Sequence, residues 1–204
     1  YEEAEVEQRA QLTALEAVPG QVRNLALVRQ DLAMTVNTLG RHAEAETLCR
    51  AALESLESEL GKDHPDIGPV RNNLVATLLP QSKLAEAEPE LESVLEFLLR
   101  TLGPEHPNVA FSRSNLALVR HKLGKHEEAM HGFREAIEVM DKTVGPEHPH
   151  TLSARSNLAT TLLSLERPEE AEGQQRKVLE LKTKLRGPDH PDVAWSLRDL
   201  GLLY

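Results

Sequence analysis

The strongest constraint on this 204-residue chain is a phrase that returns at a fixed interval. Leu102-Gly103-Pro104-Glu105-His106-Pro107 is followed by Asn115-Leu116-Ala117, and the same arrangement recurs three more times. Leu60-Gly61-Lys62-Asp63-His64-Pro65 precedes Asn73-Leu74-Val75, and Val144-Gly145-Pro146-Glu147-His148-Pro149 precedes Asn157-Leu158-Ala159. Arg186-Gly187-Pro188-Asp189-His190-Pro191 precedes Asp199-Leu200-Gly201. The histidines stand at positions 64, 106, 148 and 190, a period of 42 residues. Self-similarity at such a period means an array of supersecondary units that bury their apolar faces against one another. The expected division is a half repeat over 1–20, full repeats over about 21–61, 62–103, 104–145 and 146–187, and a half repeat over 188–204, forming one array.

Each repeat divides into two apolar segments of helical spacing and length, with no alternating pattern of strand type. The A segments run over about 22–39, 66–80, 108–123, 150–165 and 192–204, the B segments over about 42–60, 83–102, 126–144 and 168–186. Residues 1–17 form a B helix that Pro19-Gly20 terminates. Ten helices make an all-α solenoid. Gly61, Gly103, Gly145 and Gly187 stand where a left-handed cap would end each B helix. The His-Pro pair then starts the next A helix, with two readings open: proline in the first turn, or Asp66, Asn108 and Asp192 as N-caps one residue later. The second repeat is irregular, with Gly68-Pro69 at the start of its A helix, Pro80 ending that helix early and Pro89 interrupting the next one, so a local bend is expected there. Ser82 and Glu166 replace the turn glycines Gly40 and Gly124, predicting either another turn geometry or about 1 kcal/mol of strain.

Columns forty-two residues apart predict the core. Leu32, Leu74, Leu116, Leu158 and Leu200 agree, as do Ala45, Ala87, Ala129 and Ala171, and Leu53, Leu95, Ile137 and Leu179. Alanines let the two helices of a repeat approach closely, and leucines fill the space between repeats. Aromatics are only 3% of the chain, so aliphatic packing must suffice. Cys49, the single cysteine, shares its column with Leu91 and Phe133 and reads as a small core residue. It excludes an internal disulfide framework and suits a reducing, cytoplasmic setting. The opening and closing residues match repeat interiors, so the sequence reads as a piece of a longer protein. No apolar run reaches the roughly 18 residues a membrane span needs, and a net charge of −10 opposes nucleic acid and anionic membranes as partners.

A helix pair with Asn-Leu-Ala on its first helix, Gly124 to Ala129 spaced as Gly-x-x-x-x-Ala at the turn, and Ala136 seven residues beyond resembles a tetratricopeptide repeat (TPR). The form that carries Leu-Gly-Pro-Glu-His-Pro is similar to the kinesin-light-chain type. The resemblance covers essentially the whole chain and implies a right-handed superhelical α-solenoid whose concave groove, lined by A helices, holds a peptide or partner segment. The repeat type also occurs outside motor proteins, and the coiled-coil heptads that would join a motor heavy chain are not in this sequence.

On each A helix the residue of the asparagine column shares a face with positions four before, one before and three after it. The asparagine column reads Asp31, Asn73, Asn115, Asn157 and Asp199; Asn72, Ser114, Ser156 and Arg198 lie one before. Phe111, Ser153 and Trp195 lie four before, Leu118 three after. A side-chain amide both donates and accepts, so it can grip an extended peptide backbone without reading its side chains. Helices about 10 Å apart would offer one amide per roughly three residues of strand. The alternative is that these asparagines only bond within their own repeats. The candidate concave-face residues are Asn72, Asn73, Phe111, Asn115, Leu118, Lys122, Asn157, Trp195 and Arg198, with Phe111 and Trp195 as apolar anchors. The A segments carry a net +4, leaving −14 on the rest, which favours an acidic partner segment. Arg29, Arg71, Arg113 and Arg155 form a column turned away from that face and suited to pairing with carboxylates of neighbouring B helices.

Nothing in the sequence has the spacing of catalysis. The repeat histidines are spread one per unit, His126 and His131 miss the i, i+4 spacing of helical metal ligands, and there is no Gly-rich phosphate loop or nucleophile elbow. The expectation is a non-enzymatic interaction module without metal or cofactor, binding a protein or peptide. Two other readings stand beside it: a sensor or scaffold region of a larger signalling enzyme or ATPase, and a structural solenoid that self-associates end to end.

Overall fold

The structure, a computed structural model, describes residues 1–18, 20–62 and 64–201, with only the backbone of Asp199. Pro19 as a helix stop, the Asp199 side chain and the continuation of the last helix over 202–204 therefore lie outside the described residues. Among the described residues there are ten α-helices and no strand. They are α1 (Glu2–Glu16), α2 (Val22–Thr38), α3 (His42–Leu60), α4 (Ile67–Leu78), α5 (Leu84–Leu102), α6 (Pro107–Lys122), α7 (His126–Thr143), α8 (Pro149–Ser164), α9 (Pro168–Arg186) and α10 (Pro191–Gly201). The chain forms two compact units, residues 1–97 (N unit) and residues 98 onward (C unit).

The histidines decide where A helices begin. His106 and His148 are the N-caps of α6 and α8, with Pro107 and Pro149 in the first turn. Each ring Nδ1 accepts from the backbone N–H two residues on, at 3.1 Å from Asn108 and 3.3 Å from His150. His64 and His190 accept from Asp66 and Asp192 in the same way, at 3.3 and 3.1 Å. At α6, α8 and α10 the histidine thus satisfies one of the orphan donors of the helix start, whereas at α4, whose N-cap is Asp66, the same bond falls in the turn before the helix. α4 departs because of Gly68-Pro69: it begins at Ile67, which puts Pro69 in the first turn, where a missing N–H costs nothing. Pro80 ends α4 as expected, leaving a 3₁₀ turn over Leu79–Gln81. Pro89, however, does not interrupt α5, which runs continuously through it. Burial of Ala87, Leu91 and Val94 around it outweighs the one lost backbone bond.

Gly61 and Gly187 end their helices at φ/ψ of 82/157 and 84/159. This is not the left-handed helical cap that their position predicts but a region open essentially to glycine alone. Ser82 and Glu166 keep the geometry of the glycine turns, with φ of 58 and 57 where Gly40 and Gly124 have 81 and 80. These two turns carry strain rather than a different fold.

The N unit packs α2 on α3 and α3 on α4, with α1 against α2. Its core holds Leu32, Val36, Cys49, Leu56, Ile67, Leu74, Leu78 and Leu91. The C unit packs α6 on α7, α7 on α8, α8 on α9 and α9 on α10, around Phe133, Met130, Met140, Leu158 and Leu162. The alanine column is fully buried. In the third column Leu53 and Ile137 are buried as expected and Leu95 and Leu179 are half-buried, while the residues one before them, Ala52, Val94, Ala136 and Val178, are buried throughout. At Gly132, α7 comes so near α6 that a Cβ there would stand 3.0 Å from that of Ala117. Burial pushes the Cys49 thiol up to about 12, with the Glu46 charge adding to it, so it sits as an inert core group.

Candidate functional site

Successive A helices touch within each unit, α2 with α4 and α6 with α8, so equivalent residues on them share one layer. Asn115 is exposed, Asn73 and Asn157 are half-buried, and Asn72 is exposed. Among the described residues none of the four side-chain amides bonds a protein group, so their donors and acceptors are open to solvent. The alternative of bonding within the repeat fails on these amides. Exposed Lys122 pairs with no carboxylate among the described residues.

The apolar candidates divide. Phe111 and Leu118 are half-buried and pack against the C-unit core. Phe111 also lies against two imidazoles, His150 with ring centres at 4.7 Å and His148 at 5.8 Å. Phe111 is thus a wall with one free edge rather than an open anchor. Trp195 is 53% exposed, with the Arg198 guanidinium 4.4 Å from its ring centre, a cation–π pair on the α10 surface.

The arginine column is engaged as its position implied. Arg29 reaches Glu16 of α1 at 3.2 Å and Ser55 of α3 at 3.3 Å, while Arg71 reaches Glu57 of α3 and Glu90 of α5. Arg113 pairs with Glu135 of α7 at 3.2 Å, and Arg155 with Asp141 of α7 and Gln174 of α9. These arginines brace A helices against their B neighbours. Arg23 pairs with Asp66 at 2.6 Å and Arg120 with Glu128 at 3.4 Å. Much of the +4 on the A segments is therefore neutralised inside the repeats, a correction to the charge argument.

One concavity of about 380 Å³ opens beside the Asn157 face in the C unit. Ser153, Ser156 and Asn157 of α8, Lys182 and Arg186 of α9 and Asp192 of α10 line it. The α9 residues escape a sequence reading that follows A helices alone. The signal is present in the columns: Lys182 stands where Leu56, Leu98 and Met140 stand, and Arg186 where Leu60, Leu102 and Val144 stand. Among the described residues no three His, Cys, Asp or Glu side chains gather as metal ligands, and no helix is long and apolar enough to cross a membrane.

Solved structures resemble this one along most of its length. A crystal structure of a Podosopora anserina protein, described as a kinesin light chain with nearly identical TPR-like repeats, superposes with a TM-score of 0.80 at 24% identity, covering 92% of this chain and 88% of that one. BtubC (BKLC) from P. vanneervenii gives 0.77 at 23% identity, covering 100% and 82%. The apo form of RapI gives 0.78 at 14% identity, covering 97% and 69%. At such identities the likeness speaks to fold alone. Comparison with curated protein sequences returns no match. The tetratricopeptide repeat family model matches residues 22–98, 69–142 and 115–184, overlapping spans that cover most of the chain, and the chain belongs to that family.

Proposed function

We propose that this chain captures an extended segment of a partner protein on the amide-bearing faces of its A helices. Tetratricopeptide repeats are in general protein–protein interaction modules, and the fold is typically non-catalytic. What carries the reading here is the pair of unengaged amides on the touching helices of the C unit, Asn115 on α6 and Asn157 on α8, with Asn72 and Asn73 on α4 offering the same groups within the N unit. Their like positions and open hydrogen-bonding groups suit the regularly spaced N–H and C=O groups of an extended backbone. In the C unit, Lys122 and Lys182 favour carboxylates on that segment, a role the arginine column no longer supports. Phe111 offers an apolar edge beside Asn115, and Trp195 with Arg198 a second apolar and cationic surface.

The test is selection of a displayed library of random peptides on the protein, followed by affinity measurement with synthetic copies of the selected sequences. Asn115→Ala combined with Asn157→Ala should weaken binding about tenfold or more, as expected for two lost hydrogen-bonding groups. Unchanged affinity in the folded double variant rejects the amide grip.

A further inference from the structure

The corner where α6 meets α8 carries a titratable link that peptide capture does not require. Asn37 and His121 stand two periods apart, and each joins its A helix to the next one of its unit. In the N unit, Asn37 Nδ2 donates to the Ala76 carbonyl of α4 at 3.5 Å, and its Oδ1 accepts from His42 Nδ1 at 2.7 Å. In the C unit, His121 Nδ1 lies 3.1 Å from Thr161 Oγ1 of α8. Its ring also lies against that of His126, the counterpart of His42, with centres 5.0 Å apart. An amide that does not titrate has been exchanged for an imidazole that does.

The proton positions follow from Thr161. Its hydroxyl donates its one hydrogen to the Asn157 carbonyl at 2.8 Å, so its oxygen can only accept from His121. The neutral His121 ring therefore carries its proton on Nδ1, and acid adds the second at Nε2. The surroundings resist that charge. Burial, then His126 of α7, then Lys122 on the same helix hold the His121 pKa below 6.5. His126 Nδ1 is buried without a hydrogen-bond partner among the described residues, so the two rings do not restore the bond that His42 makes with Asn37. α8 presents the neutral Thr161, and Lys125 stands in the turn between the histidines. Of the carboxylates that open α7, Glu128 pairs with Arg120 of α6 at 3.4 Å and Glu127 is exposed. Arg167, which reaches Met130 one turn beyond His126, pairs with Glu170.

We infer that His121 is a proton switch on the peptide-holding face: neutral, it fastens α6 to α8; charged, it turns out to solvent and releases the spacing between them. The ring is half-buried, so solvent is within reach of a rotamer change. Asn115 and Asn157 sit on those two helices, and Thr161 bonds the carbonyl of Asn157 itself. A segment held by both amides favours the fastened form, hence the neutral ring, and its affinity falls as acid charges His121. The Asn37 link of the N unit has no proton to gain. The inference rests on the proposed capture for its consequence, but the switch itself is measurable in the free protein.

The test is NMR of the free protein from about pH 7.5 to 5.5, following the His121 ring and the backbone amides of Asn157 and Thr161. Both amides should move with the titration of the ring. His121→Asn, which copies Asn37, should remove that movement while the C unit stays folded. Thr161→Val, which keeps the imidazole but deletes the hydroxyl, should uncouple Asn157 from the ring. Amides that ignore the ring, or coupling that persists in either folded variant, overturn the switch. The second measurement uses a synthetic copy of a selected peptide without histidine, so that the protein supplies the titration. Its affinity should fall about fivefold or more over the same range in wild type and stay level in His121→Asn. Level affinity in wild type overturns the switch, as does a pH dependence that His121→Asn retains. The two ideas fail separately. If Asn115→Ala with Asn157→Ala leaves affinity unchanged, the amide grip is wrong and the NMR titration decides the switch. If that double variant weakens binding while affinity ignores pH, the switch alone is wrong.

Discussion

The two units solve one joint differently. In the N unit, Glu46 on α3 accepts from Lys83 at 2.7 Å, Gln81 at 2.9 Å and Arg50 at 3.0 Å, fastening α3 to the turn that follows α4. Two periods later the same place in the C unit holds Met130, and the counterpart of Lys83 is Arg167, whose guanidinium lies 3.1 Å from the Met130 sulfur. One unit closes the joint with a nearly buried charge and three donors, the other with a thioether in a continuous apolar cluster. A shared backbone plan therefore does not require shared chemistry at each column. The charged joint depends on its partners and on pH, whereas the apolar joint depends on shape.

The largest expected effect tests that dependence on shape. Gly132→Val drives a branched side chain into Ala117 and should lower C-unit stability by about 2–3 kcal/mol. Its N-unit counterpart, Glu90, points to Arg71, so Glu90→Val should cost less. Amide hydrogen exchange resolved by unit reads both, and equal losses would refute the contrast. Next, Glu46→Met copies the C-unit residue into the N unit but leaves Lys83 without its acceptor and Gln81 with only the Thr77 carbonyl, for a loss of about 2 kcal/mol. A neutral result in chemical denaturation would mean the polar joint is dispensable.

A smaller effect belongs to the strained turns. Glu166→Gly should relieve the positive φ and stabilise the C unit by about 1 kcal/mol, and Gly124→Glu should cost a similar amount. Denaturation midpoints measure both, and a destabilised Glu166→Gly would show that the side chain matters more than the backbone. The smallest is the difference in acid response. Burial raises the Glu46 pKa, but Lys83, Arg50 and Gln81 outweigh it, so the net shift is downward from 4.5. A lowered carboxylate contributes stability above its unfolded value that is lost as pH falls through the folded one, so the N unit should weaken below about pH 4.5. His121 in the C unit, within 3.1 Å of Thr161, is lowered from 6.5 by burial first, then by His126 and Lys122. The same sign places its loss of stability below about pH 6.5, so the C unit should begin to loosen at milder acidity. Exchange rates followed from pH 7 to pH 4 decide the order of the two units.

Much of the fold is legible because the repeat copies each signal four times. A histidine followed by proline at a fixed interval stands at or just before four of the five A-helix starts, and the alanine column marks buried contacts in all four B helices where it occurs. The failures lie where one copy departs from the others. Pro89 reads as a helix breaker, yet burial of Leu91 and Val94 holds α5 through it. The third column is buried at Leu53 and Ile137 but only half-buried at Leu95 and Leu179, because Val94 and Leu95, like Val178 and Leu179, are equally apolar and only packing says which turns inward. Among candidate site residues, Asn115 is exposed and Asn73 and Asn157 are half-buried. Lys182 stays hidden as long as helix B is treated as outer surface.

By itself the sequence determined that this is a stack of helix pairs, which helix of each pair is which, and within a few residues where most of the turns between them fall, since these follow from local spacing and from residues such as glycine and proline whose conformational limits need no neighbours. Only the tertiary structure decided that the repeat histidines cap helices, that the arginine column is spent on internal braces, and that two cations in apolar columns face a small cavity. Those facts depend on which side chains meet across helices, and charge or hydrogen-bonding capacity acquires a role only once its neighbours are known.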